Sequence, residues 1–149
     1  MNTEKAVKLF LAAIEARFDE ICAKDGRGRT GGRLCVAFKG TVLGTFEIGK
    51  LRPTDDLAGW SRECVEKVVR LLANPHTNSA YQTMEYGNKK YGGGVQLGDW
   101  AFGFAGLFFE VHNENVCLIG LASVYGPLPD EFLDLIVQCS NNSYRGEFW

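Results

Sequence analysis

Apolar side chains recur every three or four positions at the start of the chain, which is the spacing of one face of an α-helix. Asn2 or Thr3 can cap the start of this helix, and the glycines and charges of residues 24–32 end it. The pattern predicts a long amphipathic first helix and then a mobile, locally basic connecting loop. The inner face of the helix consists of Val7, Phe10, Leu11, Ile14, Phe18, Ile21 and Cys22.

A β-hairpin and a second helix are predicted next. Residues 33–38 and 41–48 are rich in β-branched and apolar side chains and flank Lys39-Gly40, which suits a two-residue turn. After Pro53, Thr54-Asp55-Asp56 offers capping oxygens and favourable negative charge for a helix that ends at Asn74-Pro75. Its inner stripe consists of Leu57, Trp60, Cys64, Val68 and Leu71.

Residues 76–91 are polar and aromatic without a clean period, so a short helix and an irregular surface segment both remain open. Beyond them, residues 95–97, 104–112 and 116–125 are predicted as strands, with a turn at Asn113-Glu114-Asn115. The last two strands are apolar on both faces, so helices should cover them. A final helix is expected from Asp130.

These elements predict an α+β fold in the order α-β-β-α-β-β-β-α, with a five-stranded antiparallel sheet flanked by helices. No repeat or linker divides the chain, so residues 1–149 are expected to form one domain. The following residues are expected in the core: Phe10, Ile14, Phe108, Leu118, Leu121 and Leu135.

The formal net charge of -2 and the pI near 5.7 provide no basic field for a phosphate backbone or an anionic membrane surface. Nucleic acid and membrane are therefore not expected as partners. The first ten residues include Glu4, Lys5 and Lys8 where a signal peptide would be apolar, which favours a cytoplasmic protein.

The cysteines are odd in number and lie singly among apolar neighbours, without a C-x-x-C pair. We expect them to be reduced, unpaired thiols that fill space in the core. They are Cys22, Cys35, Cys64, Cys117 and Cys139.

Candidate chemistry is sparse. Residues 26–32 combine arginine with glycine and invite a phosphate interpretation, but a Walker loop follows a strand and opens a helix, whereas this loop follows a helix. His76 and His112 can each ligate a metal or haem iron, yet both lie where a solvated turn residue is expected. No Gly-x-Ser-x-Gly elbow is present, so a non-catalytic domain is favoured, although an enzyme remains open.

The best candidates for a binding site lie in residues 91–104. Glycine lets a backbone approach a ligand closely, and aromatic rings can stack on a flat ligand. An irregular start to a strand and an aromatic core are the alternative interpretations. The predicted ligand-binding residues are Tyr91, Gly92, Gly93, Gly94, Trp100 and Phe102.

The element order, the stretch 92–97, the stretch 116–122 and the helix from Asp130 resemble the GlcG/HbpS-type haem-binding domain family. The resemblance implies a profilin-like sandwich, frequent assembly into oligomers, and in some members the binding of haem or small molecules. The chain departs from the family at Gln96, where proline is usual, at Lys39-Gly40, and at residues 98–103, which resemble an insertion.

Two functions therefore remain open: a small-molecule-binding domain with haem as one candidate cofactor, and an interaction or oligomerisation module without a ligand. A homodimer is expected because the apolar strands of the second half exceed what three helices can cover. Folding of residues 76–91 over the sheet is the competing explanation.

Overall fold

The computed structural model describes residues 2–143, which form four helices, four strands and two short 3₁₀ helices. The helices are α1 (Thr3–Asp25), α2 (Leu57–Ala73), α3 (Glu110–Tyr125) and α4 (Asp130–Ser140). The strands are β1 (Gly31–Phe38), β2 (Thr41–Gly49), β3 (Gly94–Leu97) and β4 (Trp100–Ala105), and the 3₁₀ helices are Ala80–Thr83 and Tyr86–Asn88. The observed order is thus α-β-β-α-β-β-α-α.

The predicted first half is confirmed, and its local signals act as expected. The Asn2 side chain accepts hydrogen bonds from the backbone N–H groups of Glu4 and Lys5, which caps α1. Lys39 and Gly40 both have positive φ, as a type I′ turn between twisted antiparallel strands requires. Asp56 accepts a hydrogen bond from the backbone N–H of Gly59 and caps α2.

The sheet is antiparallel with strand order β2-β1-β4-β3, so the part of the chain that the structure describes has four strands, not five. Residues 98–103, which resembled an insertion, supply the β3–β4 turn at Gly98-Asp99 and most of β4. Antiparallel strands flanked by helices confirm the α+β class.

The prediction of a hairpin over residues 104–125 is wrong. Strand β4 ends at Ala105, and residues 110–125 form α3. Helix α3 is buried over most of its surface, mainly by α1 and the sheet, so its apolar residues show no single-face period. A short apolar run without a period does not distinguish a strand from a fully buried helix.

The polar residues interpreted as a turn lie inside α3 and are buried. The Asn113 side chain accepts from the Leu107 N–H at 3.0 Å, and the Asn115 side chain accepts from Asn142 at 2.7 Å. Glu114 accepts from Ser79, Ser140 and Asn142. Because each polar group has a partner, the helix can bury them without a large desolvation penalty.

The two faces of the sheet are packed differently. One face, here called the aromatic face, carries Leu34, Val36, Trp100, Phe102 and Phe104 and packs against α1 and α3. The opposite face, here called the α2 face, carries Cys35, Ala37, Ala101, Gly103 and Ala105 beneath α2. The alternation of large and small residues along β1 and β4 therefore separates two layers of the core.

Four of the predicted core residues are confirmed: Phe10, Ile14, Leu118 and Leu121 are buried. Leu135 is half-buried. Phe108 was predicted as core but is 48% exposed, because it lies in the loop between β4 and α3 instead of in a strand.

All five cysteines are free thiols in the described structure, as predicted. Residues 76–91 contain the two 3₁₀ helices, and Ser79 forms a β-bridge with Val95 at the outer edge of β3. None of the helices in the described residues combines the length and the apolar character needed to cross a membrane.

Candidate functional site: an aromatic cleft at the end of the α2 face

An open cleft of about 470 Å³ lies where β4 ends beside the start of β1. Five aromatic residues line it, and we call it the aromatic cleft: Trp60, Tyr81, Tyr91, Phe108 and Phe109. They come from α2, the first 3₁₀ helix, the loop before β3, and the β4–α3 loop. The fold thus collects rings from segments far apart in sequence.

Arg70 of α2 fixes the wall that contains the two tyrosines. Its buried guanidinium donates hydrogen bonds to the backbone carbonyls of Ala80 at 3.1 Å and Thr83 at 2.8 Å, and to the carbonyl of Tyr91. Arg70 also pairs with Glu66 one turn earlier. One side chain on a rigid helix therefore anchors both segments that carry Tyr81 and Tyr91.

Asp25 fixes the opposite wall. Its carboxylate is buried and accepts hydrogen bonds from the backbone N–H groups of Phe108 at 3.1 Å and Phe109 at 3.0 Å. It also contacts Nδ1 of His112 at 2.9 Å. These contacts tie the β4–α3 loop to the end of α1 and leave both phenylalanine rings exposed beside the cleft.

A buried ion pair forms the floor. The Lys67 side chain is 0% exposed, and its Nζ donates to Glu110 Oε2 at 2.9 Å and to the carbonyl of Phe104 at 2.7 Å. Glu110 opens α3 and lines the cleft. The pair joins α2, β4 and α3 and fixes the position of the Glu110 carboxylate.

Glu63 is the second carboxylate of the aromatic cleft. Burial raises the pKa of its side chain, and the charges of Glu110 and Asp56 act in the same direction, while Lys67 and Arg62 oppose them. No hydrogen bond or ion pair holds Glu63 within residues 2–143. It is therefore a half-buried acidic group that lines the cleft and has no close hydrogen-bond or ion-pair partner among the described residues, while Lys67 and Arg62 act on it from beyond ion-pair distance.

Arginines of the loop between α1 and β1 lie against the cleft rings. The Arg27 guanidinium is 4.2 Å from the centroid of Phe108 and 5.2 Å from that of Phe109. Arg29 is 5.8 Å from the Trp60 ring and donates a hydrogen bond to the carbonyl of Gly106 at 3.1 Å. The loop interpreted from sequence as a connection thus also borders the site.

The glycines before β3 are packed against protein groups. A Cβ at Gly92 would lie 2.5 Å from the Tyr81 ring, and one at Gly93 would lie 2.6 Å from Glu110 Oε2. A Cβ at Gly94 would lie 3.2 Å from Leu71. Their small size lets the backbone pack closely against the cleft wall, the ion pair and α2. These glycines therefore contact residues of the site without lining the cleft.

Of the predicted binding residues, Tyr91 lines the aromatic cleft, and Gly92 and Gly93 contact groups that line it. Trp100 and Phe102 lie on the aromatic face, where both pack with Phe10 and with each other. The structure therefore does not bring these two rings to the cleft. Their alternate spacing reflects one buried face of β4.

The thiols and histidines give no alternative centre in the described structure. Burial raises the pKa of Cys35 to about 12 and that of Cys64 to about 11, so both remain protonated at neutral pH and are poor nucleophiles. His112 lies in the first turn of α3 instead of at a hairpin turn, and His76 lies in an exposed loop. No group of three or more His, Cys, Asp or Glu residues within residues 2–143 is arranged to hold a metal ion.

A second groove of about 400 Å³ lies where α1 meets α3 and is lined mainly by small apolar residues, among them Ala13, Ala16 and Ala122. Ligand sites combine apolar walls with a few convergent polar groups. The aromatic cleft places five rings beside Arg29, Glu63 and Glu110, so more of its accessible surface is polar than apolar. Among the described residues that line the groove, Arg17 is the one charged residue. We therefore regard the aromatic cleft as the candidate site.

Sequence reasoning missed Asp25, Glu63 and Lys67. The sequence contains a signal for a buried role of Lys67. It lies between Cys64 and Leu71 on the inner stripe of α2, where an apolar residue is expected. Asp25 also had one, because a carboxylate at the end of a helix opposes the helix dipole. Glu63 had none, because an acidic residue beside the stripe of an amphipathic helix is ordinary.

No protein-family model, curated protein or solved structure matches this chain. The functional argument therefore depends on the geometry of the site.

Proposed function

We propose that the chain is a non-catalytic domain that binds a small organic molecule in the aromatic cleft. The observation that carries the proposal is the convergence of five rings and two carboxylates on one open space of about 470 Å³. Clefts of a few hundred Å³ with mainly aromatic walls and a few placed polar groups are typical of small-molecule sites.

The way the cleft walls are held in place favours a binding site over an incidental depression of the surface. Arg70, Asp25 and Lys67 are buried polar residues, and each is used to position a segment that lines the cleft. Burying such groups costs desolvation free energy, which apolar packing would avoid. A rigid, preformed cleft reduces the entropy lost when a ligand binds.

The composition of the cleft supports the non-catalytic part of the proposal. No serine, cysteine or histidine is among the described residues that line it. The cleft therefore lacks the Ser–His and Cys–His pairs of the common hydrolases, which need such a nucleophile beside a base. A flat apolar ligand that stacks on rings and is oriented by Glu63 or Glu110 requires only the groups present.

Haem remains a candidate ligand within this proposal. The profilin-like fold also remains a proposal, here with a four-stranded sheet. Neither histidine lines the cleft, so an iron ligand from the cleft itself would be Tyr81 or Tyr91. Added haemin is therefore a specific arm of the binding test, with a Soret shift of defined stoichiometry as the expected signal of haem binding.

The test is a titration of ¹⁵N-labelled protein with haemin and with a set of small aromatic compounds, followed by NMR. We expect saturable shifts at the Trp60 side chain and the backbone amides of residues 106–111. Phe108→Ala should weaken binding, while Val69→Ala, an equally exposed truncation on the outer side of α2, should not. If no compound shifts these signals, or Val69→Ala weakens binding as much, the proposal fails.

We propose self-association through β2 as a second candidate function. The sequence argument for a homodimer was an apolar hairpin that the helices leave exposed. That argument no longer holds, because those residues form the buried helix α3. Strand β2 instead supports it: no strand in the described residues pairs with its outer edge, and Val42 and Leu43 are 40% and 36% exposed. Unprotected edge strands readily pair with another chain.

Light scattering at micromolar concentration tests the homodimer. A mass near twice the 16.5 kDa of one chain is expected, falling to one chain in Leu43→Lys, which places a charge at the edge. Ala12→Lys on the exposed side of α1 is the control with the same added charge. A monomeric native chain at all concentrations would remove this candidate.

A further inference from the structure

We infer that the ligand of the aromatic cleft carries a positively charged nitrogen, an ammonium or amidinium group on an apolar or aromatic body, which pairs with Glu63. This inference rests on the proposed function, because it names the chemical class of molecule that the same cleft takes. It concerns the charge of the ligand, which the aromatic walls alone do not determine.

Glu63 is the charged group of the cleft that the chain leaves unpaired. The other charges are engaged: Glu110 is held by Lys67 at 2.9 Å, and Arg29 donates to the Gly106 carbonyl at 3.1 Å. Glu63 is half-buried and lines the cleft, and within residues 2–143 no hydrogen bond or ion pair satisfies it. A partly desolvated carboxylate is stabilised most by a cation that arrives with its own N–H donors.

The rings around Glu63 favour the same charge. The faces of tryptophan, tyrosine and phenylalanine attract cations within about 6 Å of the ring centroid. The chain already uses two of its own guanidinium groups in this way, Arg27 on Phe108 at 4.2 Å and Arg29 on Trp60 at 5.8 Å. Cations therefore already contact these walls in the native chain. A ligand cation that displaces Arg27 or Arg29 from its ring would keep that interaction and add the pairing with Glu63.

An anionic ligand fits the same groups less well. The N–H groups of Phe108 and Phe109, which precede α3, already donate to the Asp25 carboxylate and are therefore not available to an anionic ligand. Glu63 and Glu110 would repel a negative group placed deeper in the cleft. Two cations lie at the cleft among the described residues: Arg29 donates a hydrogen bond to the Gly106 carbonyl, and Arg27 packs on the exposed Phe108 ring.

Binding of a cation should depend on pH in a defined direction. The pKa of Glu63 is raised by burial, and Glu110 and Asp56 raise it further against Lys67 and Arg62. Arg29 also lines the cleft on the side of the α1–β1 loop. A cation binds the ionised carboxylate, so affinity should fall as pH drops through the raised pKa, and binding below neutral pH should release protons.

The test compares three probes of similar size that differ in charge: 2-phenylethylammonium, 2-phenylethanol and 3-phenylpropionate. Dissociation constants come from ¹⁵N NMR titrations that follow the Trp60 side chain and residues 106–111. We expect the ammonium compound to bind at least about tenfold more tightly than the alcohol, and the carboxylate to bind most weakly. Equal affinity for the ammonium compound and the alcohol would overturn the inference.

The matched variants are Glu63→Gln, which removes the charge and keeps the shape, and Glu131→Gln, the same change on the exposed start of α4. Glu63→Gln should reduce the affinity for the ammonium compound to about that for the alcohol, whereas Glu131→Gln should leave the preference for the ammonium compound as in the native chain. If the preference survives in Glu63→Gln, the inference is wrong while the binding cleft stands. If neither the three probes nor haemin shifts the cleft signals in the native chain, both the inference on ligand charge and the proposed function fail.

Discussion

The two faces of the sheet are packed in different ways. The aromatic face is closed by large rings in edge contacts, such as Phe10 with Phe102 at 5.3 Å and Phe18 with Phe104 at 5.8 Å. On the α2 face small residues bring the helix close to the strands, and a Cβ at Gly103 would lie 2.7 Å from the Cys64 carbonyl oxygen. One face is stabilised by buried ring area, the other by close backbone approach.

The difference explains where the polar groups lie. Beneath α2 there is little room for bulky apolar side chains, and Lys67 extends along this layer to the end of β4 to meet Glu110. The layer therefore ends in charged groups and opens to solvent at the aromatic cleft. Phe102 is enclosed on the aromatic face, whereas Trp100 lines a separate opening at the β3–β4 turn, at the other end of β4.

The largest expected effect is on the aromatic face. Phe102→Ala removes a fully buried ring that contacts Phe10 and lies against Gly120 of α3, so the free energy of unfolding should fall by about 3 to 5 kcal/mol. Phe108→Ala, the same truncation at an exposed ring, should change it by less than about 0.5 kcal/mol. Urea unfolding measures both, and similar losses in the two variants would contradict the contrast.

The next largest effect concerns the ion pair of the α2 face. Lys67→Met leaves the Glu110 carboxylate and the Phe104 carbonyl without their donor, and should cost about 3 kcal/mol. The double variant Lys67→Met with Glu110→Leu should recover much of this loss, because no unpaired charge remains. A double variant less stable than the single one would show that the pair itself, not the orphaned charge, determines the cost.

A smaller effect is expected from Gly103→Ala, which tests the close approach of α2. The added methyl group would meet backbone, not the flexible end of a side chain, so it should destabilise the fold by about 1 to 3 kcal/mol. Gly87→Ala is the control, because a Cβ there meets nothing within 4 Å. Thermal unfolding of both proteins decides it, and equal melting temperatures would rule out a close-packed α2 face.

The smallest expected effect is a pH dependence from Glu114 on α3. Burial raises the pKa of this carboxyl, against the hydrogen bonds from Ser140, Ser79 and Asn142. A folded-state pKa above the unfolded value contributes stability at low pH that is lost as pH rises through the folded pKa. The pH range over which this stability is lost therefore extends upward from 4.5, the ordinary pKa of a glutamate side chain.

Glu114→Gln should remove this dependence. Urea unfolding from about pH 4.5 to about pH 8 should show native stability falling relative to the variant as pH rises. A constant difference between the two proteins, or one that grows in favour of the native chain, would contradict the assignment.

The first half of the fold was predictable because its signals are local. A one-faced stripe in α1, the Lys39-Gly40 turn and the Asp56 cap each act within a few residues. Helix α3 was not predictable in the same way, since a helix buried by the sheet and α1 loses its one-faced pattern. Its internal Asn-Glu-Asn run has partners from distant segments, which the sequence alone does not connect.

The candidate site was predictable only in part for a similar reason. Tyr91 and the glycines before β3 were found because glycine runs are a local signal. The other cleft residues come from segments that only the fold brings together, as Arg29, Trp60 and Phe108 illustrate. An exposed ring such as Phe108 appears in sequence as one more core residue until the loop that carries it is known.

The most direct test of the account is a crystal structure of the protein grown with 2-phenylethylammonium. The account predicts the phenyl ring against Trp60 and Tyr91 and the nitrogen within hydrogen-bond distance of the Glu63 carboxylate, with Trp100 and Phe102 unchanged. A compound bound instead in the small-residue groove where α1 meets α3, or an empty aromatic cleft at a saturating concentration, would contradict it.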